Sequence, residues 1–172
     1  MRKQKIMKLS QILFESNDRK RVLEPLYHYS DSLFDKFSIG KASSSAIWGA
    51  GIYLSDHREG LEGWSKSRDK KGYLYTIAVE VDSDRVIDIT QPTSDLVFNK
   101  IEAAIGRSLA PSTKESGLFP LLTIERKFGG LIDGMRVMGF DVFIHSPPGN
   151  HQGKHYLIIN TDLITIKNIE QI

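Results

Sequence analysis

Leu74-Tyr75-Thr76-Ile77-Ala78-Val79-Glu80-Val81 constrains the fold more than any other stretch of this chain. Eight residues rich in aromatic and β-branched side chains, closed by the turn-forming Asp82-Ser83-Asp84, predict a central strand of a sheet. Arg85-Val86-Ile87-Asp88-Ile89 alternates more cleanly and predicts a neighbouring strand. The apolar positions of Asp95 to Ile105 fall at helical spacing, with Gly106 as a stop. Leu118 to Phe128 predicts a second helix, with Pro120 in its first turn. Asp141-Val142-Phe143-Ile144 and His155 to Ile159 then read as two strands joined by the Ser146 to Asn150 turn, and Leu163 to Ile166 as a further strand or edge. Strands, helices and strands again, without regular βαβ alternation, predict an α+β domain with a mixed or antiparallel sheet.

A chain of 172 residues has room for one ordinary core. The boundary is drawn at 22/23: residues 1–22 are a basic amphipathic helix or leader, and residues 23–172 one domain. Arg2, Lys3, Lys5, Lys8, Arg19, Lys20 and Arg21 make that first segment basic, while Ile6, Met7, Leu9, Ile12, Leu13 and Phe14 suit an amphipathic helix better than a secretion signal. Cysteine is absent, which rules out disulfides, thiolate metal sites and cysteine nucleophiles and suits a reducing, cytoplasmic setting. A net charge of +2 gives little general attraction to nucleic acid. No stretch approaches the roughly eighteen apolar residues of a membrane span.

Chemistry concentrates between Leu26 and Trp64. Tyr27-His28-Tyr29-Ser30 sits on one short strand, and Gly49-Ala50-Gly51-Ile52-Tyr53-Leu54-Ser55-Asp56 opens a second before a segment reaching Trp64. A histidine and a glycine-flanked tyrosine on nearby strands suit a small-molecule cleft. Either glycine would permit close chain approach to a ligand, and a plain turn before a strand needs glycine equally. Tyr73, Tyr75 and Phe143 read as core packing, as does Trp48 by a narrower margin. His145, His151 and His155 are loosely grouped, but their spacing is not a ligand signature, so no metal site is expected. Lys66, Arg68, Lys70 and Lys71 read as a solvated run.

Leu26-Tyr27-His28, the Gly49 to Asp56 string and Lys154-His155-Tyr156-Leu157-Ile158-Ile159 together resemble the three sheet segments of the diphtheria-toxin and poly-ADP-ribose-polymerase branch of ADP-ribosyltransferases. The likeness runs from residue 26 to 169, because Asp162 to Lys167 also resembles the closing strand of that domain. It implies a split β-sheet core with flanking helices, and NAD as substrate without a metal. That branch places a His, a Tyr and usually a Glu on three strands around NAD. The corresponding catalytic set is His28, Tyr53 and His155, an imidazole standing where the family has its carboxylate. The implied NAD-binding set is His28, Tyr29, Ser30, Gly51, Tyr53 and Trp64. His28 would meet the adenosine ribose, the Tyr29 backbone would hold the carboxamide, and the rings of Tyr53 and Trp64 would enclose nicotinamide. The family usually has glycine where Tyr29 stands, so that side chain has to point away.

The resemblance further implies mono-ADP-ribosylation of a macromolecule, a protein ahead of a nucleic acid, by a bacterial or phage effector acting in the cytoplasm of a host cell. The second expectation is an impaired relative that binds NAD, ADP-ribose or a protein partner, since a neutral imidazole offers only an acceptor where a carboxylate would offset charge. Gln152, or less readily Asp141, is a substitute third residue. The tRNA phosphotransferases of this fold are a weaker third choice.

Overall fold

The computed structural model describes residues 19–41, 48–67, 71–115, 118–147 and 153–172. The segment 1–18, His151 and Gln152 lie outside them. Among the described residues seven strands form one mixed sheet: β1 (Lys20–Ser30), β2 (Ile52–Ser55), β3 (Tyr73–Asp82), β4 (Val86–Asp88), β5 (Val142–His145), β6 (His155–Ile158) and β7 (Ile164–Gln171). Their spatial order is β4-β5-β6-β2-β1-β3-β7. The helices are α1 (Arg58–Ser67), α2 (Asp95–Ile105), α3 (Ser112–Glu115), α4 (Leu118–Phe128) and α5 (Leu131–Met138). An α+β architecture follows.

The expected central strand, β3, lies inside the sheet but next to its edge, between β1 and the edge strand β7, while β2 holds the middle; Leu74, Tyr75, Ile77 and Val79 on β3 are fully buried. Two expectations need correction. The first strand starts at Lys20, inside the segment 1–22 assigned to a basic helix or leader, because Lys20, Arg21 and Val22 pair with Asp82, Val81 and Glu80 of β3. In addition, β4 does not neighbour β3. The Ser83–Arg85 turn carries the chain off, β7 takes the free edge of β3, and β4 pairs in parallel with β5 at the far end of the sheet. A parallel pair needs a crossover, which α2 to α5 supply.

The helices form where local chemistry allows. Ser94 caps α2 by accepting from the Val97 N–H, and Gly106 closes it in the left-handed region at φ 73°. Val97, Phe98, Ile101 and Ile105 then lie along the buried side of that helix. Helix α5 forms despite Gly134, because a Cβ there would come within 2.2 Å of the Ile124 side chain; the bare glycine lets α4 and α5 approach closely.

Apolar side chains cover both faces of the sheet. On one face Phe143 and Leu157 pack under Ile101, Ile124, Leu131 and Met135 of the helices. On the other, Leu26, Ile52, Leu54, Tyr75, Tyr156 and Ile158 form a second cluster with Phe37. Alternation along β2 and β6 distributes neighbouring residues between the two. Among the described residues no helix is long and apolar enough to cross a membrane.

Candidate functional site

The three segments that carry the chemistry lie on adjacent strands, β1, β2 and β6. Strand β2 holds β6 along its whole length, from Ile52 opposite Ile158 to Ser55 opposite His155. Its contact with β1 is narrower, a single register pair of Tyr27 with Ser55. Beyond that pair, Nδ1 of His28 donates to the Tyr53 carbonyl at 2.9 Å, so a side chain takes the place of a backbone ladder bond. A carbonyl only accepts, so the neutral ring carries its proton on Nδ1 and its lone pair on Nε2. Burial holds this imidazole below the usual 6.5 and favours that neutral form.

A cleft of about 480 Å³ opens at this seam. His28, Ser30, Phe34, Phe37, Ile52 and Tyr53 are among its walls, together with Gly51 and Lys36. Phe34 stacks on Tyr75, with centroids 4.3 Å apart and an interplanar angle of 12°. The Tyr75 hydroxyl accepts from the Phe34 N–H at 2.8 Å and donates to the Ser32 carbonyl at 3.2 Å. Tyr75 is thus more than core packing, because it fixes the loop that forms one wall. Phe37 meets the His28 ring edge-on at 5.2 Å. The sequence offered one signal for this wall, two phenylalanines three residues apart directly after the His28 strand.

Tyr53 is tied at both ends. Its ring packs against the helix-side cluster, and its hydroxyl accepts from the Trp48 N–H at 3.2 Å and donates to the Gly49 carbonyl at 3.1 Å. Gly49 has φ 102°, a conformation that suits glycine. Gly51 is needed for space: a Cβ would lie 2.3 Å from a Leu157 methyl and 3.2 Å from the Ile158 carbonyl, so it serves the approach of β6. Tyr29 turns away from the cleft. Its ring is buried over Gly72, where a Cβ would stand 2.3 Å from it. Trp64 lies on α1, and its side chain is outside the described residues. Arg58 anchors that helix through a two-pronged contact with Glu170 of β7, at 3.0 and 2.7 Å.

His155 is not in the wall of this cleft. It stands opposite Ser55, two residues along β2 from Tyr53 and on the same face, where its ring meets His145 edge-to-face at 5.4 Å. His145 in turn stacks on Phe143 at 5.4 Å and meets Trp48 at 6.0 Å. Burial holds His145 below the usual 6.5, partly offset by a hydrogen bond to the Ser146 backbone. Asp141 lies away from the cleft, in an ion pair with Arg85 at 2.7 Å. Asp56 is also engaged, accepting from the Lys154 N–H at 2.6 Å and from the Tyr156 hydroxyl at 3.2 Å. Among the described residues no three metal-ligating side chains form a group.

Comparison of the chain with protein-family models, with curated proteins and with solved structures finds no match.

Proposed function

We propose that the protein is an NAD-dependent ADP-ribosyltransferase of the diphtheria-toxin and poly-ADP-ribose-polymerase type, built on that family's split sheet and acting on a protein target. The observation that carries this reading is the junction of His28 with Tyr53 at a seam of the sheet, beside an aromatic-walled cleft of the size expected for a small-molecule site. The three segments of the sequence resemblance are also neighbours in space. Nε2 of neutral His28 is a suitable acceptor for a ribose hydroxyl, and the half-buried Tyr53 ring, on the helix side of the same seam, is the aromatic face available to a flat heterocycle that crosses it.

In this reading the nicotinamide–ribose bond of NAD breaks with its electron pair passing to the nicotinamide nitrogen. Positive charge develops on the sugar as nicotinamide leaves neutral, and the target's nucleophile bonds to the anomeric carbon. Rigid placement of the leaving ring and an acceptor near the sugar favour that transition state over the ground state. Incubation with NAD labelled in the adenylate portion tests the proposal: label should pass to protein in a bacterial lysate, and free nicotinamide should accumulate. Absence of both NAD binding and cleavage would refute it.

A binding module without transferase activity is the second reading, favoured by the imidazole at position 155 and by the lack of a carboxylate in the described cleft wall. It predicts NAD or ADP-ribose binding without nicotinamide release, and gain of NAD cleavage on His155→Glu.

A further inference from the structure

Lys36 lines the cleft at the β1–β2 seam and has no role in the reading above. Among the described residues of the cleft wall it alone carries a formal charge; Asp31 and Asp35, on the same loop, are not part of that wall. His28 contributes a neutral ring, and Ser30, Ser32 and Ser38 contribute hydroxyls. Among the described residues no carboxylate forms an ion pair with Lys36. An ammonium on a wall that holds no anion of its own favours an anionic guest. The loop also gives Lys36 a fixed base. Phe34, two residues before it, stacks on Tyr75 and donates its N–H to the Tyr75 hydroxyl at 2.8 Å. Phe37, directly after it, is 5% exposed and meets the His28 ring edge-on. Held on both sides, the backbone at Lys36 has little freedom to lose when a ligand binds. Ser30 Oγ already accepts from the Ser32 N–H at 3.1 Å, so its own proton is what it offers a guest.

We propose that Lys36 selects a diphosphate-bearing ligand in this cleft, its ammonium and the Ser30 hydroxyl donating to phosphate oxygens of NAD. The inference rests on the transferase reading for which anion enters, and adds a specificity residue outside the His28–Tyr53 pair. Nicotinamide leaves without a phosphate, whereas the diphosphate stays with the ADP-ribose that is transferred. Lys36 therefore holds the portion of NAD that substrate and product share, and stabilises bound NAD and bound ADP-ribose alike. Free nicotinamide and a neutral nucleoside forgo this contact.

Titration calorimetry with NAD, ADP-ribose and ADP provides the test. Lys36→Ala should raise the Kd of NAD and of ADP-ribose by the same factor, about 5-fold or more, and Lys36→Arg, which keeps the charge, should recover most of the loss. Raising NaCl from about 0.05 to about 0.5 M should weaken NAD binding in the parent and the Arg variant, and much less in the Ala variant. A change of loop shape alone would not remove that salt dependence. Lys36 is exposed, so the Ala variant should melt within about 2 °C of the parent. An NAD Kd unchanged in Lys36→Ala, or NAD binding by the parent that is insensitive to salt, would overturn the proposal; the transferase reading would stand wherever NAD is still cleaved. Should ADP bind with this dependence on Lys36 and salt while NAD is neither bound nor cleaved, the transferase reading fails and the diphosphate subsite stands. A parent that binds none of the three ligands would refute both.

Discussion

Replacing Tyr53 by Phe separates the two things its side chain does. The ring is retained and the hydroxyl is lost, so the Trp48 N–H at 3.2 Å and the Gly49 carbonyl at 3.1 Å both lose their partner. Each such bond contributes about 0.5–1.5 kcal/mol net, giving a loss of about 1–3 kcal/mol. For a chain of this size 1 kcal/mol moves Tm by about 2–4 °C, so scanning calorimetry should show a fall of about 2–12 °C. NAD affinity should change little, because the stacking face is intact. Tyr53→Ala removes that face as well and should weaken NAD binding by about 1–3 kcal/mol, roughly 5- to 150-fold in Kd. A Phe variant melting within about 1 °C of the parent would refute the pinning argument. A Phe variant losing as much NAD affinity as the Ala variant would show that the hydroxyl, not the ring, meets the ligand.

Three other outcomes are expected. Gly51→Ala forces a methyl against Leu157 and the Ile158 carbonyl and should destabilise by about 1–3 kcal/mol in urea unfolding, whether or not NAD is present. His28 and His145 are both held below 6.5 by burial, so below that pH the unfolded chain binds protons that the folded one refuses. Stability is therefore complete above pH 6.5 and lost as pH falls through the folded values; Tm should drop from pH 7 to 5, less steeply in His28→Gln. Burial, then the carboxylate of Asp56, pushes the Tyr156 phenol up to about 12, above its usual 10. The folded state keeps that proton while the unfolded chain sheds it, so stability should fall as pH rises from 10 towards 12, and Tyr156→Phe should flatten that limb.

Much of this arrangement was legible in the residues. The bounds of α2 and α4 follow from Gly106, from Pro120 and from apolar spacing, and β3 from its β-branched run. Helix α5 was not legible, because Gly134 within it looks like a breaker until the Ile124 side chain of the neighbouring helix needs the space that a Cβ would fill. The place of β4 was hidden for a similar reason: alternation reports that a segment is a strand, whereas its partner is decided by which sheet edge is open. His28 and Tyr53 were legible as a pair, though their junction through a ring nitrogen and a carbonyl was not. The loop wall of Phe34 and Phe37 was missed because its order depends on Tyr75, forty-one residues from Phe34. His145 was noted only within a loose histidine group; its contact with His155 depends on hairpin register, which spacing alone leaves undetermined.

The narrow join between β1 and β2 also governs how the molecule can open. On one side β1 is held by a long ladder to β3, and on the other β2 by a continuous ladder to β6. Along their facing edges the two blocks are joined by one backbone register pair and one imidazole, with the apolar cluster of Leu26, Tyr75, Leu54 and Tyr156 shared beneath them. Local opening there requires far less than unfolding either block, so amide hydrogens along the facing edges of β1 and β2 should exchange well before those buried within β3 or β6. A molecule entering the seam would work against the weakest boundary in the sheet, and one that occupied it would join the blocks and slow that exchange.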